Sequence, residues 1–293
     1  MLAEIASVSI AGVAIGSVYA LMALAINVVF AARRIVNFAQ GELVMLAGLS
    51  GITLMTSFNL LYLGAFVIAC AAAGIAALAV ERVAVRPLSS SEHDIAWILS
   101  IVAASIILSN LLLLIFSTDA QRFPSLVGSR AMTFAGVRYV PDQLVAIGGA
   151  VAAILVLALI QERTIVGKAM KAVSLDPEMA SMLGISVNRY VGGAFALAGG
   201  MAGLTAFLVG PLTFVSAQLG FSLTIKGFAA AALGGLGTFR GAIAGGFVIG
   251  LTETFVSTYV SSGLKDIVSL VALCVILIFR PYGLVGEPKV VKV

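Results

Sequence analysis

The strongest constraint in this sequence is the length of its uncharged runs. Residues 6–31 carry no acidic or basic side chain, and similar runs recur along the chain. A bilayer core takes about 20 apolar residues per helix, and a soluble helix rarely stays apolar on every face for that long. By this measure, spans are expected near 6–31, 43–57, 60–80, 95–116, 143–160, 190–210, 218–236, 241–261 and 265–280. Only 10% of the residues are charged, against roughly 25% in a soluble domain. The expected fold is all-α, a polytopic bundle of about eight or nine spans. The second and seventh runs are the weakest, one being short and the other containing Lys226. The N-terminus has no basic segment before its apolar run, so it reads as a retained span rather than a cleaved signal.

Twelve of the seventeen Lys and Arg residues fall in connections on one side: Arg33, Arg34, Arg82, Arg86, Arg163, Lys168, Lys171, Arg189, Arg240, Arg280, Lys289 and Lys292. The other side receives Arg122, Arg130, Arg138 and Lys265. The basic side is the cytoplasmic one, which puts the N-terminus outside and the C-terminus inside. Topology thus accounts for the net charge of +4, and nucleic-acid binding is not needed.

The chain reads as one transmembrane domain, 1–293, in two apolar halves (1–160 and 190–293) separated by a polar cytoplasmic island, 161–189. Within the island, Asp176 suits an N-cap, Pro177 the first helical position, and Glu178 a first turn whose dipole favours negative charge. Gly184 suits the left-handed position after Leu183. A helix over Pro177–Leu183 is too short to persist alone, so a partner must hold it.

Other polar residues stand out against the apolar background. Asn37, Gln40 and Glu42 lie between two apolar runs with almost no loop to hold them; they are either a tight turn or an element beside a translocation path. Asn27, near the inner end of the first run, reads as a helix–helix hydrogen bond or a path residue. Glu253 and Lys226 interrupt the glycine-rich C-terminal half; an intramembrane charge faces a partner, the bundle interior or a wet cavity. Gly12/Gly16, Gly199/Gly203 and Gly241/Gly245 keep the four-residue spacing of close helix packing. Residues 132–140 read as a small external β-hairpin turning at Gly136. Arg122, Arg130 and Arg138, all in the external segment 117–142, are either solvated or dock an acidic external partner. His93 reads as a loop histidine, and Cys70 and Cys274 as small buried apolar residues. No phosphate-binding loop, metal set or catalytic motif occurs, so any energy for transport comes from another subunit or an ion gradient.

Five blocks carry a resemblance. GVAIGSVYALMALAINVVF with RIVNFAQGEL (12–43), GKAMKAVSLDPEMASMLGISV (167–187), KGFAAAALGGLGTFRGAIAGGFVIGLTE (226–253) and RPYGLVG (280–286) follow one another as in the branched-chain amino acid permease family of ABC importers. Glu178, Ala180 and Gly184 stand as E-x-A-x-x-x-G, which resembles the EAA loop of ABC-importer permeases. The I-x-L-P that commonly follows that motif is missing, Gln40 stands where the family often has His, and Arg240 where it often has Pro.

The resemblance implies a non-catalytic subunit of a bacterial inner membrane that binds no cofactor itself. A second, similar permease, two cytoplasmic ATPases that bind ATP and Mg, and an external substrate-binding protein would complete the transporter. Asp176, Pro177, Glu178, Ala180, Leu183 and Gly184 would form the coupling helix in a cleft of the ATPase. The substrates implied are branched-chain or other amino acids, with urea or short amides as the alternative. An ion-coupled carrier using Glu253 is a third reading, drawn from the residues alone.

Overall fold

The computed structural model describes residues 2–88, 94–116, 119–128, 130–134, 136–216, 219–280 and 283–285. His93, Lys289 and Lys292 lie outside them. Eleven α-helices are present among the described residues. Six stretches are long and apolar enough to cross a membrane. They comprise α1 (Leu2–Arg33), α3 (Tyr62–Val80, running on in tighter and wider turns to Leu88), most of α4 (Asp94–Phe116), α5 (Pro141–Arg163), α8 (Val187–Val209, extended to Leu212) and α10 (Phe239–Tyr259). Three shorter apolar helices, α2 (Gln40–Thr56), α9 (Leu219–Gly234) and α11 (Lys265–Phe279), fall on the remaining expected spans and have 17, 16 and 15 residues. At 1.5 Å per residue these reach only about 22–26 Å. The polar island folds as α6 (Ile165–Leu175) and α7 (Pro177–Met182).

The bundle is built around α1. From Ser17 to Val29 every residue of α1 is buried, because the helix is apolar all round and other helices pack on every face. Its main partner, α10, runs antiparallel to it. A Cβ on Gly12 would stand 3.0 Å from Leu251, and one on Gly16 would stand 3.0 Å from Phe247. At the far end, the Asn27 amide donates to the Thr238 carbonyl at 3.0 Å and accepts from the Gly237 N–H at 3.1 Å. Asn27 therefore acts as a helix–helix clasp that bonds to the turn between α9 and α10. Across the bundle, α8 packs on α3 through Gly199 against the Ala73 carbonyl and Gly203 against Cys70. Gly241 and Gly245 of α10 lie against Gly234 and Ala230 of α9. The outer helices α4 and α5 are mostly exposed on their apolar faces, as lipid-facing helices are.

The two ends of the bundle differ. One carries two short antiparallel ladders. In the first, β1 (Gln121–Arg122) pairs with β4 (Phe214–Val215); in the second, β2 (Met132–Phe134) pairs with β3 (Val137–Tyr139). The second is the expected hairpin, with Gly136 at φ +83° in its turn. Tyr62, Phe66, Phe123 and Phe207 form an aromatic cluster at this end, with ring centroids 4.9–6.4 Å apart. The other end collects Arg33, Arg86, α6 and α7. Residues 283–285 also lie there, bonded from Leu284 and Val285 to the carbonyls of Leu233 and Gly234. The start of α1 and residues 283–285 therefore sit at opposite ends.

Two expectations need correction. The span expected to end near residue 80 runs on: the helix continues through a wider turn over Glu81–Val85, and Glu81 is fully buried. Cys274 is exposed and Cys70 half-buried, so neither is a core residue.

Candidate functional site

Three clusters of polar residues interrupt the apolar bundle. The first surrounds the start of α2. From Arg34, which takes a left-handed φ of +58°, the chain leaves α1 and passes through residues 34–39 without regular structure. Ile35, Val36, Asn37 and Ala39 of this segment are buried. It is not a surface turn, because it climbs into the bundle. Gln40 donates to the Ala198 carbonyl at 2.8 Å, near the middle of α8. Irregular backbone survives at such depth only when protein covers it and its polar groups are paired. Asn37 supplies much of that pairing. Its Oδ1 accepts from the Ala39 N–H at 3.1 Å, its carbonyl accepts from the Gln40 N–H at 3.3 Å, and its Nδ2 donates to Gln40 Oε1 at 3.2 Å. This explains why α2 is short: the extended segment covers part of the crossing.

At that point α2 meets α9. Gly41 lies against the Gly220 carbonyl with no room for a Cβ, and its N–H donates to Thr224 Oγ1 at 2.8 Å. The lead-in to α2 and the start of α9 come from opposite halves of the chain, yet they touch here. Glu42 is 2% exposed, and its Oε2 has no hydrogen-bond partner among the described residues. Asn37, Gln40 and Glu42 are thus brought together, in the closed interior rather than along an open channel.

The second cluster surrounds Glu253, which is fully buried. Its Oε1 accepts from Lys226 Nζ at 3.0 Å and Tyr19 Oη at 3.1 Å, and Lys265 Nζ stands 3.3 Å away. Its Oε2 accepts from Ser269 at 3.5 Å. Lys226 also reaches Asp266 at 2.8 Å and sits over the Tyr19 ring at 5.8 Å. The site ties α1, α9, α10 and α11 together. Both carboxylate oxygens therefore have partners within the bundle.

The third is the polar island. Asp176 Oδ1 accepts from the N–H groups of Glu178 and Met179 at 3.0 and 2.9 Å, with Pro177 in the first turn. At the far end Gly184 has φ +80°. Its N–H donates to Ser181, and the Ile185 N–H donates to Ala180, each at 3.0 Å. This is the glycine-terminated double bond that ends many helices. Both caps fall where the sequence puts them; the helix proper ends at Met182, with Leu183 as its C-cap. Ala180 is buried and fixes the helix to the bundle, while Met179, Met182 and Leu183 are 60, 83 and 78% exposed. These large apolar side chains project from a polar island.

The three arginines expected on the outer side are not gathered. Arg122 sits in β1 with its guanidinium 5.9 Å from the Phe214 ring centroid. Arg138 lies in β3, where its backbone N–H donates to Ser7. All three of Arg122, Arg130 and Arg138 are exposed.

Sequence reasoning did not find a buried charged group at the basic end. Glu81 Oε1 lies 3.3 Å from Arg86, and Arg86 also donates to the Asn188 carbonyl at 3.5 Å. The available signal was the ERVAVR spacing, which places Glu81 and Arg86 five residues apart in a widened turn.

Residues 9–279 match the family model described as branched-chain amino acid transport system / permease component. The chain belongs to the branched-chain amino acid permease family. Its relatives include the high-affinity branched-chain amino acid transport system permease protein LivH of Salmonella typhimurium, 33% identical over 301 residues, with 96% of each chain covered. LivH of Escherichia coli is 32% identical and BraD of Pseudomonas aeruginosa 31% identical, again with 96% of each chain covered. Among solved structures, PsaBC from Streptococcus pneumoniae in complex with Fab covers 93% of this chain and 91% of its own, with a TM-score of 0.51 and 16% identity. That likeness concerns the fold alone. The chain is therefore a multi-pass membrane permease component of an α-helical fold shared beyond its close relatives.

Proposed function

We propose that this chain is the membrane-spanning subunit of a bacterial inner-membrane ABC importer for branched-chain or other amino acids. A second homologous permease, two cytoplasmic ATPases and an external binding protein complete it; ATP and Mg are held by the ATPases. The basic end faces the cytoplasm, the β ladders face outward, and the short helices α2, α9 and α11 complete a set of nine crossings.

The observation that carries this reading is α7, a doubly capped helix projecting Met179, Met182 and Leu183 from the basic end. Methionine side chains adapt to a concave partner, and the caps keep so short a helix formed. Asn37, Gln40 and Glu42 face the path when the bundle opens, and the exposed Arg122, Arg130 and Arg138 meet the binding protein. The names of the relatives favour branched-chain amino acids over urea.

The test is reconstitution of the complete transporter in vesicles with its cognate binding protein. Leucine uptake that requires ATP on the ATPase side, and that excess urea leaves unchanged, is expected. Uptake driven by an ion gradient without any ATPase would overturn the proposal.

A further inference from the structure

At the basic end, a cavity of about 620 Å³ opens between α1, α5, α6 and the start of α10. Its polar lining is Asn27, Gln161, Glu162, Lys168, Lys171 and Ser174. Asn27 is already occupied by its bonds to Gly237 and Thr238. Lys168 and Lys171 are exposed and belong to no ion pair among the described residues. Glu162 is the one carboxylate in the lining.

An apolar track leads to this cavity. Leu144, Val151, Leu155 and Leu159 are 44–58% exposed. They recur at four or seven residues, so they share one face of α5. Glu162 is the next residue on that face and sits at the cavity. A cationic recess thus continues directly into a lipid-facing apolar stripe. That is the shape of an amphiphile with an anionic head, and basic pockets between helices near a membrane surface hold such headgroups.

We propose that this cavity is a binding site for an anionic phospholipid. Its phosphate sits against Lys168 and Lys171, and one acyl chain lies along the α5 stripe. The occupant links α6, which leads into α7, to the bilayer, so the lipid steadies the base of the island. The site is independent of which solute the transporter carries.

The test uses the full chain in nanodiscs of equal phosphatidylglycerol and phosphatidylcholine, with retained lipid counted by native mass spectrometry. Preferential retention of phosphatidylglycerol is expected. It should fall about fivefold for Lys168→Gln or Lys171→Gln alone and about 25-fold for both, from the usual attraction of about one lysine each. Lys168→Arg/Lys171→Arg keeps the charge and should keep the lipid, as should Arg163→Gln, which removes a nearby charge outside the cavity lining. Equal retention of both lipids, or an unchanged preference in the double glutamine variant, overturns the proposal. So does loss of phosphatidylglycerol when the second permease and the ATPases are assembled, because the cavity is then a protein seat.

Discussion

Removal of Lys226 tests the Glu253 cluster most directly. Lys226 Nζ is 3.0 Å from Glu253 Oε1, with 8% and 0% of the two side chains exposed. The gross attraction at that distance is about 5 kcal/mol with an effective dielectric of 20, and much of it only offsets desolvation. Breaking a buried pair from one side costs about 3–5 kcal/mol, because the remaining charge stays buried. In Lys226→Met, Lys265 remains 3.3 Å from Glu253, which places the expected loss near the lower end, about 3 kcal/mol. In Lys226→Met/Glu253→Met no charge stays in the interior, while Lys265 and Asp266 are 42% and 76% exposed and can turn to water. That double variant should therefore lie within about 1 kcal/mol of the parent. Unfolding in mixed micelles of rising dodecyl sulfate fraction, followed by circular dichroism, measures both. If the two single substitutions add, so that the double variant is the least stable of the three, Glu253 and Lys226 do not act as a pair.

Three further predictions concern separate parts of the chain. Asp176→Ala removes the acceptor of two N–H groups and should cost α7 about 1 kcal/mol, and Gly184→Val forces a β-branched residue to φ +80° at a similar or greater cost. Hydrogen exchange over 177–185 should rise roughly fivefold or more in both variants, with the membrane helices unchanged, and ATP-driven uptake should fall. Gly41→Ala puts a Cβ into the Gly220 carbonyl; it should destabilise the α2–α9 junction by about 1–3 kcal/mol, read as a lower dodecyl sulfate midpoint, whereas Gly148→Ala, where nothing lies within 4 Å, should leave it unchanged. Replacing Arg122, Arg130 and Arg138 together by Ala should weaken binding-protein association at low salt and have little effect at high salt; equal affinity at low salt removes them from the interface.

The parts legible in the sequence are those whose physics is local. Span positions follow from run length, and the caps of α7 follow from Asp176, Pro177 and Gly184, each acting within a few residues. The small-residue pairs Gly12/Gly16 and Gly199/Gly203 announce close packing, but not against which helix. What the sequence hides is long-range pairing. Nothing near Gly41 points to Gly220, since neither has another glycine four residues away. The depth at which α2 begins depends on Gln40 meeting the Ala198 carbonyl, a partner 158 residues distant. The partners of Glu253, which are Lys226, Lys265, Tyr19 and Ser269, are likewise hidden, because only the fold brings four helices together at one carboxylate.

These packing details also bear on how a push at α7 would travel. The connection from α7 to α8 is short: Leu183 caps one helix and Val187 begins the next. Along α8, Gly199 and Gly203 lie backbone to backbone on α3, and such a seam has no long side chains whose rotamers could absorb a displacement. α8 and α3 should therefore move as one body. The same stretch of α8 offers the Ala198 carbonyl to Gln40, and Gln40 is held by Asn37 at the start of α2. A displacement of α8 would either carry α2 with it or shear the α2–α8 packing at Gly48 and Gly51 and break the 2.8 Å Gln40 hydrogen bond. In the first case the α2–α9 junction at Gly41 must shear; in the second the polar group of Asn37, Gln40 and Glu42 is released into whatever space opens. Gln40→Leu separates the two. It removes the bond and puts an apolar side chain of similar bulk in its place, so ATP hydrolysis should persist while leucine uptake falls, provided this bond couples α8 to α2. Uptake and hydrolysis that fall in step would instead place the coupling elsewhere.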